Sequence, residues 1–286
     1  MKGYIEMSIL SYAIDRIKNV EILTSQTNSH SVVFESDSFK TIESSQSQGM
    51  GLRTIYKDNI GFSFSNNLDD KELIDQAIES AQFGEKAHFT FAEQKDIEDY
   101  NIYDDEVNKT PTELMLDMGK EIIETIKKEN SDIKVDVELE KRTSQHSLTT
   151  SNGFSQEYKK SFFSVGVSGL IAKNDQILSI YKAKTRLSPF TDTKELTQPI
   201  LEKFKLSSNI SAIQSGNFPV LFTPRAVKFL ASILTSSLNG KMIQKQISPL
   251  SEKVGESILA TNFTLIDDGT IKKGLTTSPF DGEGTL

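Results

Sequence analysis

The chain has 286 residues, 36% apolar and 25% charged, a composition that supports a packed core and excludes a disordered chain. The net charge of −8, with no basic run longer than pairs such as Lys127-Lys128 and Lys272-Lys273, argues against a nucleic-acid surface. The absence of Cys excludes disulfides, thiolate metal sites and a Cys nucleophile within the chain.

The N-terminal run Ile5-Glu6-Met7-Ser8 is too mixed for a signal peptide. No segment approaches the ~20 apolar residues of a membrane helix, so the expected location is the cytoplasm. Ile9, Leu10, Ala13, Ile14 and Ile17 have helical spacing. Leu52 to Lys57 and Gly61 to Asn66 read as strands joined at Asp58-Asn59. There Phe62 and Phe64 alternate with Ser63 and Ser65, which predicts one buried face. Asp69 with Glu72 suggests a capping box for a helix burying Leu73, Ala77, Ile78 and Ala81.

Residues 91–110 carry Asp96, Glu98, Asp99, Asp104, Asp105 and Glu106 and read as an acidic linker. Thr110, Pro111 and Glu113 then announce a helix with Met115, Met118, Ile122, Ile123 and Ile126 on its apolar stripe. Val135, Val137 and Leu139 alternate with Asp136, Glu138 and Glu140, a half-buried strand. Phe163, Val165 and Val167 make another, turning near Lys173-Asn174-Asp175 into a third strand from Ile177 to Lys184. Asp192 and Glu195 open a helix that Pro199 is expected to break or kink. Phe218 to Phe222 reads as a short strand. Thr223 and Pro224 start a helix burying Ala226, Phe229, Leu230, Ile233 and Leu234, and Gly240 is placed to end it.

The expected fold class is α+β, with antiparallel strands and flanking helices. The order helix, strands, hairpin, helix occurs twice, which suggests an internal repeat. The domains read as 1–90, a linker at 91–110, a central domain at 111–216 and the start of a further domain at 217–286.

Residue chemistry alone marks no catalytic, cofactor-binding or metal site. His30, His88 and His146 are far apart, and none pairs at the i, i+4 spacing of a helical zinc site. Ser144 beside His146 is a weak nucleophile–base lead that lacks a third partner, and no Gly-x-Ser-x-Gly elbow occurs. Gly49-Met50-Gly51 matches no phosphate loop, and Asp267-Asp268 before Gly269 reads as a turn.

Five blocks, in order, resemble the TldD/PmbA family, also called modulators of DNA gyrase. They are Ser47-Gln48-Gly49-Met50-Gly51-Leu52-Arg53, Gly61-Phe62-Ser63-Phe64-Ser65-Asn66-Asn67-Leu68, the loop from Ser248 to Glu256, Phe263 to Thr270, and Pro279-Phe280-Asp281-Gly282-Glu283-Gly284. The family's catalytic branch carries His-Glu-x-x-x-His on the helix corresponding to Thr223 to Asn239. Here that place reads Ser232-Ile233-Leu234-Thr235-Ser236-Ser237, and hydroxyls and aliphatics cannot replace imidazoles and a general base on zinc. The chain therefore resembles the PmbA (TldE) branch. The resemblance implies a non-catalytic subunit without its own cofactor, zinc in a TldD-like catalytic partner, heterodimer formation or self-association, and peptide substrates. The alternatives are a binding protein of the gyrase-modulator kind and a peptidase acting alone. Family members continue well past the Phe-Asp-x-Glu-Gly block, which implies a fragment or a short form.

Overall fold

The computed structural model describes residues 9–173, 176–207 and 211–286. Its strands form one six-stranded antiparallel sheet in the order β3-β2-β1-β4-β5-β6. β1 (Val20–Glu35), β2 (Ser38–Tyr56) and β3 (Asn59–Ser65) make one meander, and β4 (Lys134–Thr150), β5 (Ser155–Lys173) and β6 (Gln176–Arg186) make the other. The meanders join along β1 and β4, paired from Glu21↔Thr150 to Phe34↔Val137. The sheet thus runs through both the 1–90 and the 111–216 segments. The turn expected at Lys173-Asn174-Asp175 falls partly outside the described residues.

Each meander carries its helices on the same face. The first has α1 (residues 9–14) and α2 (Glu72–Ala81); the second has α4 (Thr112–Glu129) and α5 (Lys194–Leu206), with the short α3 (Asp105–Lys109) just before α4. Helix, three strands, helix therefore occurs twice, in the repeated order that the sequence suggests. Two cores lie under these helices. Val20, Ile22, Met50 and Leu52 pack against Ile9, Ala13, Leu73, Ile74 and Ala77. Val135, Val137, Leu139, Phe163, Val165 and Val167 pack against Met115, Met118, Ile122, Ile126, Leu196 and Ile200. Each of these Val, Leu, Ile, Met and Phe side chains contributes about 1.5–3 kcal/mol when buried.

β3 does have one buried face, and it is the serine face rather than the phenylalanine face. Phe62 and Phe64 are 56% and 74% exposed, whereas Ser63 is buried and its hydroxyl donates to Leu73 O at 2.7 Å. α2 lies so close that a Cβ on Gly61 would stand 2.0 Å from Ala77 O, so only small residues fit beneath it. The β2–β3 turn is centred one residue early, at Lys57 and Asp58, both at positive φ, as a tight hairpin of this hand requires.

Helix starts also shift. Lys71 stands at the N-cap of α2, and Asp70, not Asp69, accepts the Glu72 N–H. Thr110 donates its hydroxyl back to Glu106 O, leaving Pro111 at the N-cap of α4. α5 continues through Pro199 to Leu206 without breaking. Residues 91–110 are a packed strap rather than a bare linker: Phe91, Tyr100, Ile102 and Val107 are buried, and Asp104 caps α3 by accepting the Glu106 N–H.

The contacts divide the chain into two compact units, Met1–Asn209 with Gly269–Leu286, and Ile210–Asp268. The second holds α6 (Pro224–Ser237) and α7 (Gly240–Gln244). Phe218 to Phe222 is not a strand. Thr223 and Pro224 do start α6, but Gly240 opens α7, capped by the Asn239 side chain, instead of ending α6. None of α6 is buried, and Phe229 is 68% exposed. Its amphipathic pattern specifies an apolar face, and no described element of its own unit covers that face.

Candidate functional site

α6 is where the family resemblance would put metal ligands. Its hydroxyls are used locally instead. Ser232 donates to Phe229 O, Thr235 and Ser236 donate to Ser232 O, and Ser237 donates to Ile233 O, at 2.7–3.0 Å. This back-bonding to the preceding turn is the usual fate of mid-helix Ser and Thr. Catalytic zinc takes imidazole, carboxylate or thiolate donors, and α6 presents none, so its residues do not fit the metal. Among the described residues no group of three or more His, Asp and Glu is placed to hold an ion.

The three histidines are not brought together as a site. His30, on β1, is pinned between β2 and α4, its Nδ1 2.8 Å from Ser44 Oγ and its Nε2 2.9 Å from Thr112 Oγ1. His88 is exposed. His146, on the face of the sheet opposite the helices, has its Nε2 3.2 Å from Ser144 Oγ, and its ring centroid lies 5.1 Å from that of Tyr158. Burial, and then the charge of Lys160, holds its pKa below the ordinary 6.5. Lys160 stands opposite Ser144 in the β4–β5 register. A catalytic triad places a carboxylate beside the histidine; here the charged neighbour is a cation, which weakens the ring as a base.

The structure does bring two of the resemblance blocks together. Arg53, from the Gly49-Met50-Gly51-Leu52-Arg53 run, places its Nη2 2.6 Å from Glu21 Oε1, while its Nε donates to the same oxygen at 2.9 Å. The shorter contact is an ion pair lying off the hydrogen-bonding direction, so Nη2 counts as unbonded despite its proximity. Phe89 and Phe91 flank the guanidinium at 5.4 and 5.6 Å, within cation–π range. Glu283 reaches it at 3.5 Å from the Phe280-Asp281-Gly282-Glu283-Gly284 run. Glu21 is 3% exposed, and its Oε2 has no hydrogen-bond partner among the described residues. Burial raises its pKa, opposed by Arg53.

Around this pair the segment Gly269–Leu286 lies on the open face of the sheet. Phe280 sits edge-on to Phe154 and Tyr158 at 5.5 and 5.1 Å, over buried Leu148. Lys160 Nζ donates to Thr277 O at 2.8 Å. The sequence alone did not single out Glu21. The available signal was a lone carboxylate in the apolar run Val20-Glu21-Ile22, which calls for a buried partner. The arrangement neutralises its own charges and fastens a returning segment. It offers no nucleophile or free acid.

Comparison with known proteins places this geometry in context. The family model "PmbA/TldA metallopeptidase domain 1" matches residues 20–82, and "PmbA/TldA metallopeptidase C-terminal domain" matches residues 215–286. An uncharacterized protein of Methanocaldococcus jannaschii is 28% identical over 267 residues, covering 93% of this chain and 62% of that protein. The chain therefore spans less than two thirds of that relative's length. Two solved structures described as candidate modulators of DNA gyrase share the fold. The one from Bacteroides thetaiotaomicron has a TM-score of 0.88 at 21% identity, over 99% of this chain and 67% of that one. The one from Thermotoga maritima has a TM-score of 0.88 at 19% identity, over 100% and 67%. TldE from Thermococcus kodakarensis matches with a TM-score of 0.83 at 15% identity, over 98% and 65%. Models of one family match two separate parts of the chain in order, on a fold whose motifs meet at Arg53 and Glu283, and together with the fold neighbours they support membership of the TldD/PmbA family.

Proposed function

We propose that this chain is the non-catalytic subunit of a TldD/PmbA-type metallopeptidase complex in the cytoplasm, acting on peptides beside a zinc-bearing TldD-like homologue. The observation that carries the reading is α6: at the place of the catalytic motif it has Ser232, Thr235 and Ser236, with their hydroxyls committed to backbone carbonyls. The fold shared with the Thermococcus TldE is consistent with it. No helix among the described residues is long and apolar enough to cross a membrane. The test is co-expression with a homologue that carries His-Glu-x-x-x-His. A co-purifying complex whose peptide cleavage depends on that partner's motif is expected; absence of any complex, with no effect on the partner's rate, would sink the reading.

A second reading follows from the gyrase-modulator description of two fold neighbours. In it the chain binds a client without proteolysis. Its net charge of −8 directs that binding to protein rather than DNA. Direct client binding without any peptidase homologue would favour it.

A further inference from the structure

We propose that a cavity of about 500 Å³ at the end of β6 binds small organic carboxylates through Arg186 and Lys273. Three segments of one compact unit build it: the strap at Asn101, Tyr103 and Asp104, the end of β6 from Thr185 to Ser188, and Lys273 with Leu275. Its volume is that of an ordinary ligand site.

The walls are fixed by hydrogen bonds rather than left to loops. Lys273 N–H donates to Tyr100 O at 2.8 Å, and Ser161 N–H donates to Ile102 O at 3.2 Å. The hydroxyl of Ser161, fully buried, accepts from Asp104 N–H at 2.9 Å and donates to Leu187 O at 2.7 Å. One side chain thus ties the strap to the end of β6. Asn101 and Lys273 hold φ of 53° and 57°. Asn tolerates that region, but Lys rarely enters it, so the surrounding contacts impose the conformation.

The charge balance points to an anion. Asp104, the carboxylate in the lining, already accepts from the Ser188 hydroxyl and then from Glu106 N–H, which hold its pKa below the ordinary value. The carboxylate nearest Arg186 is Glu195 at 3.8 Å, and Glu195 is held more closely by Lys184 at 2.7 Å. Lys273 makes no ion pair among the described residues. Arg186, held only at 3.8 Å by a Glu195 that Lys184 binds more closely, and Lys273 thus line the cavity against one carboxylate already engaged, Asp104, in a chain of net charge −8. A guanidinium fork matches the two oxygens of a carboxylate. Leu187, Leu275 and Tyr103 supply an apolar wall for the rest of the ligand. Asp104 disfavours a doubly charged phosphate. The inference goes beyond the subunit reading and does not depend on it.

The test is titration of the full chain, followed by amide NMR, with N-acetyl-leucine, its neutral carboxamide and inorganic phosphate. Saturable binding of the acid at about 1 mM or tighter is expected. The carboxamide should bind about tenfold more weakly, and Arg186→Gln and Lys273→Gln should each cost the acid a similar factor. Equal binding of acid and carboxamide, no binding of the acid at about 10 mM, tighter binding of phosphate, or acid binding untouched by both substitutions would each overturn the proposal. If Arg186→Gln fails to fold, Lys273→Gln removes a side chain without an ion pair and decides the matter alone.

Discussion

Glu283 meets Arg53 at 3.5 Å across 230 residues of sequence, and the same guanidinium holds buried Glu21 at 2.6 Å. The two contacts differ in weight. Glu21 is almost wholly buried, whereas the Glu283 side chain is exposed. Replacing Arg53 by Met leaves a buried carboxylate without its counter-ion, and the expected loss is about 3 kcal/mol. Glu283→Gln should cost less than about 1 kcal/mol. The pair Glu21→Gln with Arg53→Met should recover much of the loss, since neither charge is then stranded. Urea melts of the four proteins check this. The pH dependence carries a sign. Burial already holds the folded-state pKa of Glu21 above the ordinary 4.5 against the lowering by Arg53, and Arg53→Met removes that opposition and raises it further. As pH rises the unfolded chain loses its proton first, so the deficit relative to the parent grows through that window and shrinks below it.

On β3, the small residues are the critical ones. Gly61→Ala would drive a Cβ into the Ala77 carbonyl and is expected to cost about 1–3 kcal/mol. Phe62→Ser and Phe64→Ser alter exposed rings and should each cost less than about 1 kcal/mol. Thermal denaturation of the three variants gives the order.

His146 predicts a loss of stability in mild acid. Its folded-state pKa is depressed from 6.5 by burial and Lys160. Above 6.5 the ring is neutral in both states. As pH falls below 6.5 the unfolded chain takes up a proton that the folded chain refuses, until the lower folded value is reached. Denaturation at pH 7.5 and 5.5 should therefore show a smaller drop for His146→Gln than for the parent. Equal drops would mean that the ring titrates normally.

Period-2 alternation made the central strands legible. Val135, Val137 and Leu139 are all buried, as are Met115, Met118 and Ile122 on the helical stripe, because apolar side chains there are both regular and inward. Alternation fixes two faces but not which of them a helix covers. For β3 the decisive fact was the close approach of α2 to Gly61, a tertiary contact. The strap was illegible for another reason: Phe91, Tyr100 and Ile102 are too widely spaced among acids to show a period. The contact of Arg53 with Glu283 was beyond any local pattern, although both residues sat in blocks that pointed to the family. In α6, periodicity named an apolar face, and only a partner layer buries such a face.

The central claim is that catalysis belongs to a partner and not to this chain. The most direct measurement is zinc content and peptide turnover of the purified chain alone and after mixing with a homologue bearing His-Glu-x-x-x-His. The account predicts no stoichiometric zinc and no cleavage for the chain alone, with turnover appearing in the mixture and vanishing when the partner's histidines are replaced. One tightly held zinc per chain, together with cleavage in the absence of any partner, would contradict it.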